Sequence, residues 1–111
     1  MNIFRNLPVD SAESLKAMIE VKPHRVISMA LKKSDNVQMT LFAFDKGEDV
    51  SEESYFGDTL YMCVEGVVII KLQEKTIRLR EGEVFMVKSE KLHAVSGEAA
   101  FKMLQITLNN N

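Results

Sequence analysis

Two histidines and one cysteine leave few positions where imidazole or thiolate chemistry could be placed. His93 could ligate a cation, act as a general base or hydrogen-bond a ligand. His24, between Pro23 and Arg25, reads as a turn residue. Glu53 offers a carboxylate for metal or acid–base work, or else belongs to a solvated acidic stretch over 45–58 that holds six carboxylates against Lys46. Tyr55 is a poor metal ligand at neutral pH, because a phenol with an unperturbed pKa of about 10 would have to lose its proton. Thr59, Tyr61 and Cys63 are spaced two apart, so a strand places them on one face. With Tyr55 they would line a mixed polar and aromatic pocket of the kind that orients a small organic molecule. A lone cysteine such as Cys63 usually packs as a small hydrophobe, and no basic neighbour in sequence would activate it. Met29, Met39, Met62, Met86 and Met103 read as core filling or an adaptable pocket wall rather than as copper ligands.

The elements that must hold these side chains are mostly strands. From Arg25 onward the chain breaks into short segments rich in β-branched and aromatic residues, bounded by Gly, Asp, Asn and Ser. The pattern predicts strands near 25–33, 36–45, 58–65, 67–73, 75–80, 83–88, 93–96 and 100–108. Ile77 and Leu79 alternate with Thr76, Arg78 and Arg80, the period of a strand with one wet face. Leu41 to Phe44 and Val67 to Ile70 are apolar on both faces, so each needs cover on both sides. Many short strands at this interval indicate a sandwich or a barrel, and a small jelly roll closes its edges with this few residues. Ahead of them, Asp10 followed by Glu13 predicts a capping box. The helix it starts would carry Ala12, Leu15, Met18 and Ile19 on one face and end before Pro23. Asn109 to Asn111 reads as a frayed polar tail.

Composition bounds the partners. A chain of 111 residues, 46% hydrophobic and 27% charged, forms one globular domain that buries roughly two-thirds of its unfolded surface. A net charge of −2 with no basic cluster argues against a nucleic-acid face. No stretch approaches the roughly 20 apolar residues needed to cross a bilayer, and no apolar leader is visible, so no membrane partner is expected. One cysteine cannot form an intrachain disulfide, which makes the cytoplasm the default location.

Two glycine-anchored blocks, Gly47 to Gly66 and Gly82 to His93, resemble the signature motifs of the cupin family, G(X)5HXH(X)3–4E(X)6G and G(X)5PXG(X)2H. The likeness covers about residues 36 to 108 and is strengthened by Gly57-Asp58, Val64-Glu65-Gly66 and His93-Ala94 in register. It implies an all-β, antiparallel double-stranded β-helix, a jelly-roll barrel over about 25–108, with a short helical extension over about 1–24. In this family three His and one Glu converge in the barrel on a divalent iron, manganese, nickel or zinc ion. Here Glu53 stands at the first His position, Tyr55 at the second and Thr59 at the Glu position, and His93 alone is retained. Lys88 and Glu90 replace the proline and glycine of the second block, so that loop cannot rely on a fixed or a positive φ.

The expected function is therefore a barrel that binds a small organic ligand through Glu53, Tyr55, Thr59, Tyr61, Cys63 and His93, with no resident cofactor, working as a homodimer. The alternative is a metal-dependent enzyme of dioxygenase or isomerase type with His93 and Glu53 around a divalent ion. A metal-free isomerase or epimerase, with His93 as base and Tyr55 or Tyr61 as acid, stands between them.

Overall fold

The computed structural model describes residues 3–109. Nine strands carry almost all of the regular structure: β1 Val26–Lys33, β2 Val37–Phe44, β3 Val50–Glu53, β4 Gly57–Glu65, β5 Val68–Leu72, β6 Thr76–Leu79, β7 Val84–Val87, β8 His93–Ser96 and β9 Phe101–Asn109. They form a five-stranded sheet, order β1-β2-β9-β4-β7, and a four-stranded sheet, order β3-β8-β5-β6. Every pairing is antiparallel. Two such sheets packed face to face are the jelly-roll barrel that the strand pattern predicted.

Eight of the nine strands lie where the hydrophobic pattern put them. The exception is β3, hidden in the acidic stretch: it is four residues long, with Ser51, Glu52 and Glu53 exposed and Val50 packed against the core. A short, charged strand is what a sheet edge tolerates, because charge blocks pairing with another chain. It is also why the segment carried no apolar alternation to read.

The core between the sheets is built from Phe44, Tyr61, Cys63, Val68, Ile70, Leu79, Val95, Phe101 and Met103, among others. A second apolar cluster lies on the outer face of the larger sheet, where Leu31, Leu41, Ala43 and Leu104 are buried beneath Ile19, with Leu7, Leu15, Met18 and Val21 packed around them. Leu41 and Ala43 thus find their outer cover within the chain. β4 and β9 approach so closely at Gly57 that a Cβ there would meet the Leu108 carbonyl oxygen, which explains a glycine inside a buried strand.

The N-terminal segment differs from expectation. Asp10 and Glu13 are exposed and cap nothing, and the helical structure is a single 3-10 turn, Leu15–Ala17, after Ser14. Leu15, Met18 and Ile19 pack down as the stripe required, whereas Ala12 is exposed. A capping box contributes only about 1 kcal/mol, and short helices are marginal in water. An extended path instead lays both Leu7 and Val21 on the same sheet face. At the other end Asn109 is no frayed residue: its backbone N–H donates to the Asn36 carbonyl at 2.8 Å and its side-chain amide to that of Asp35 at 3.0 Å. Asn110 and Asn111, the rest of the expected tail, lie outside the described residues.

Candidate functional site

Strand parity and register define the site. On β2 the inward positions run Phe44, Phe42, Thr40, Gln38; on β9 they run Phe101, Met103, Gln105, Thr107; on β4 they run Cys63, Tyr61, Thr59. Register aligns these rows: Phe42 and Cys63 both face Met103, Thr40 and Tyr61 face Gln105, and Gln38 and Thr59 face Thr107. Three adjacent strands therefore switch from apolar to polar inward residues at the same level. One end of the barrel is hydrocarbon and the other is polar.

At the polar end His93, on β8, is 2% exposed and Tyr61 is 1% exposed, so both must be paired inside the barrel. The Tyr61 hydroxyl lies 2.7 Å from His93 Nε2, and His93 Nδ1 lies 2.9 Å from the Lys91 carbonyl oxygen. A carbonyl can only accept, so Nδ1 carries the proton and donates. In the neutral imidazole Nε2 then accepts the Tyr61 O–H. The two rings meet edge to face, with centroids 5.6 Å apart at 70°. Beside them the hydroxyls of Thr59 and Thr107 pair at 3.1 Å. Among the described residues no buried side-chain nitrogen or oxygen lacks a partner.

Tyr55 lies in the β3–β4 loop, half-buried above this layer, its ring centroid 6.0 Å from that of His93. Its hydroxyl donates to Glu53 Oε2 at 2.6 Å. Glu53 is exposed, yet its strand register sets it directly opposite His93. Burial pushes the Tyr55 phenol above its ordinary pKa, and its bond to the Glu53 carboxylate adds to the rise while the Gln105 side chain opposes it. Tyr61 is pushed higher still, chiefly by burial. Cys63 does not join this group. It sits at the apolar end, its thiol donating to the Gly66 carbonyl at 3.1 Å, and burial raises its pKa away from the reactive thiolate.

The loop between β7 and β8 closes the polar end. Glu90, at the position of the motif glycine, nevertheless adopts φ +64°, so the turn keeps the backbone that the motif requires without the residue that adopts it freely. The Glu90 N–H donates to the Tyr55 carbonyl at 2.6 Å, Ser89 Oγ donates to the Phe56 carbonyl at 2.6 Å, and the Ser89 N–H donates to Asp58 Oδ1 at 2.9 Å. These bonds sew the two loops together and hold open a cavity of about 190 Å³ lined by Ser54, Tyr55, Phe56 and Glu90.

Gln105 and Thr107 escaped the sequence reading, and Glu90 was read only as a loop substitution, not as a site residue. The two β9 residues alternate with Leu104, Ile106 and Leu108, a pattern that ordinarily puts the polar face in water; here it faces inward.

The donor set does not fit the family's metal. Zinc binds an imidazole nitrogen at about 2.0–2.1 Å, and the lone pair of His93 Nε2 that would face it is taken by the Tyr61 hydroxyl. Both phenols are held in their protonated form, and Thr59 is paired to Thr107. Among the described residues no group of three or more His, Cys, Asp or Glu side chains converges.

A two-sheet jelly roll whose polar residues gather at one end defines a cupin-type barrel. No family model matches the sequence and no curated protein matches it. Solved structures do. A cupin superfamily protein from Desulfitobacterium hafniense is 47% identical, over 96% of this chain and 98% of that one, with a TM-score of 0.93. The chain belongs to the cupin superfamily. A conserved protein of unknown function from Streptococcus pyogenes, 22% identical over 100% of this chain and 97% of that one, has the same fold at a TM-score of 0.93. A cupin 2 conserved barrel domain protein from Leptotrichia buccalis is 26% identical over 85% of this chain, at a TM-score of 0.81, with 46% of its own length matched. Among the described residues no helix is long and apolar enough to cross a membrane.

Two outcomes follow from this geometry. The chain has two tyrosines and no tryptophan, so tyrosinate absorbance reports Tyr55 and Tyr61 alone. Both folded phenols hold their protons to higher pH than unfolded ones. The stability they contribute is complete below about pH 10 and declines as pH rises beyond it. Ultraviolet difference titration should show both tyrosinates forming at higher pH in the folded protein than in the urea-unfolded chain; a native phenol titrating no higher than the unfolded one would contradict the buried layer. Separately, Glu90→Gly should stabilise the fold by about 0.5–1 kcal/mol in urea denaturation, the relief of left-handed strain less the entropy glycine adds to the unfolded chain.

Proposed function

We propose that this cupin barrel binds a small organic molecule at its polar end, without a resident metal, in the cavity against Tyr55. One observation carries the reading: three neighbouring strands turn their inward residues polar at one level, below an open cavity, although burying polar groups there gains nothing for folding. Satisfied polar networks fix side chains rigidly, and here the network supports the ring that faces the cavity. Tyr61, His93, Thr59 and Thr107 form the floor, Tyr55 the contact surface, and Glu53 fixes the Tyr55 hydroxyl. The metal-dependent alternative loses support because the Tyr61 hydroxyl engages the one imidazole it needs.

A library of small polar compounds titrated into labelled protein should yield ligands whose NMR shifts centre on residues 54–56 and 90, and Tyr55→Ala should weaken them by about tenfold or more. Hits clustered elsewhere, with affinities indifferent to Tyr55→Ala, would place the binding site wrongly.

We also infer a homodimer that uses the uncovered half of the outer face of the larger sheet. Met86, Leu60, Ile106 and Met39 form an uncharged row across four neighbouring strands, flanked by Val84 and Leu108, which are 56% and 53% exposed. A second copy presents the same row, so the contact is self-complementary about a two-fold axis. Sedimentation should give a dimer that Met86→Glu dissociates; a monomer from micromolar to millimolar concentration ends this inference.

A further inference from the structure

The mouth cavity has a chemistry of its own. It is lined by Ser54, Tyr55, Phe56 and Glu90, two aromatic residues and a carboxylic acid with no Lys, Arg or His among them. Its volume is about 190 Å³ and it opens to solvent, which suits a small molecule. Phe56 is 78% exposed, a whole ring left in water beside the cavity. Glu90 makes no ion pair among those of the described residues, and its neighbour Lys91 instead pairs with Glu74 in the β5–β6 turn.

Each of these features favours positive charge. A carboxylate without a cationic partner attracts one. Aromatic faces carry a negative quadrupole that attracts organic cations, more strongly once water is displaced. Tyr55 gives its proton into a 2.6 Å bond with the Glu53 carboxylate, which enriches its ring in electron density. The surrounding segment over 45–58 adds its excess of carboxylates to the local field, which draws cations toward the mouth.

We propose that the mouth cavity takes a small organic ammonium ion, its cationic head between the Tyr55 and Phe56 rings and against the Glu90 carboxylate. The inference rests on the binding reading above and names the class of ligand. A neutral polar molecule would gain nothing from the exposed Glu90 carboxylate, and an anion would be repelled by it.

Three probes of similar size separate charge from shape: choline, its uncharged isostere 3,3-dimethylbutan-1-ol, and the anion 3,3-dimethylbutanoate. Each is titrated to millimolar concentration into labelled full-length protein and followed by NMR at residues 54–56 and 90. Choline should bind about tenfold more tightly than the alcohol, and the anion should not bind. Glu90→Gln, which keeps the backbone and the side-chain length, should bring choline down to the level of the alcohol, and Phe56→Leu should weaken choline more than the alcohol. Equal or tighter binding of the alcohol or the anion at the same residues overturns the ammonium preference and leaves the binding site standing. No response there to any of the three probes also overturns it, while the compound library with Tyr55→Ala decides the site independently.

Discussion

The Tyr61 phenol and the His93 imidazole are both shut away from water, and each satisfies the other. A buried hydroxyl or ring nitrogen left without a partner costs about 1–3 kcal/mol, so neither can be altered without the other. The Lys91 carbonyl settles the tautomer by accepting from Nδ1, and that leaves Nε2 free to accept from Tyr61. The floor of the polar end depends on this chain of three groups. It holds the edge-to-face packing of the two rings and supports Tyr55 above, and it occupies the lone pair that a metal centre would require.

The barrel solves two burial problems with one architecture. Its apolar end is a conventional core, with Phe44 and Phe101 stacked at a centroid distance of 4.5 Å. Its polar end is a hydrogen-bonded layer closed by two loops that bond each other. The larger sheet is apolar on its outer face too, and half of that face is covered by the extended N-terminal segment. Local preference for helix in that segment yields to burial, since Leu7 and Val21 join Leu15, Met18 and Ile19 on the sheet where the chain runs extended on either side of the turn.

Loop closure at the mouth shows how a motif can outlast its residues. The backbone at Glu90 keeps a left-handed conformation that glycine would adopt freely. Strain of this kind persists where surroundings over-determine it, and here the bonds from Glu90 and Ser89 to the Tyr55 and Phe56 carbonyls do so. In return Glu90 stands at the cavity wall where the motif has glycine.

The period-two pattern and the glycine spacing were enough to read a jelly roll and eight of its strands, because burial of alternate residues and positive φ are local demands that residue type must meet. Parity alone put Thr59, Tyr61 and Cys63 on one face, and the packing of the sheets made that face the inside. Their division did not: Cys63 packs among hydrocarbon while Tyr61 and Thr59 join the polar layer, and that depends on which residues β9 and β8 bring opposite them. β3 was invisible because an edge strand needs charge more than alternation. Gln105 and Thr107 looked solvent-facing because an alternating strand does not say which of its faces is the inside. Residue types determined the set of groups available for chemistry. Only the tertiary structure decided that His93 meets Tyr61, since that contact joins residues 32 apart in sequence and is fixed by the packing of two sheets.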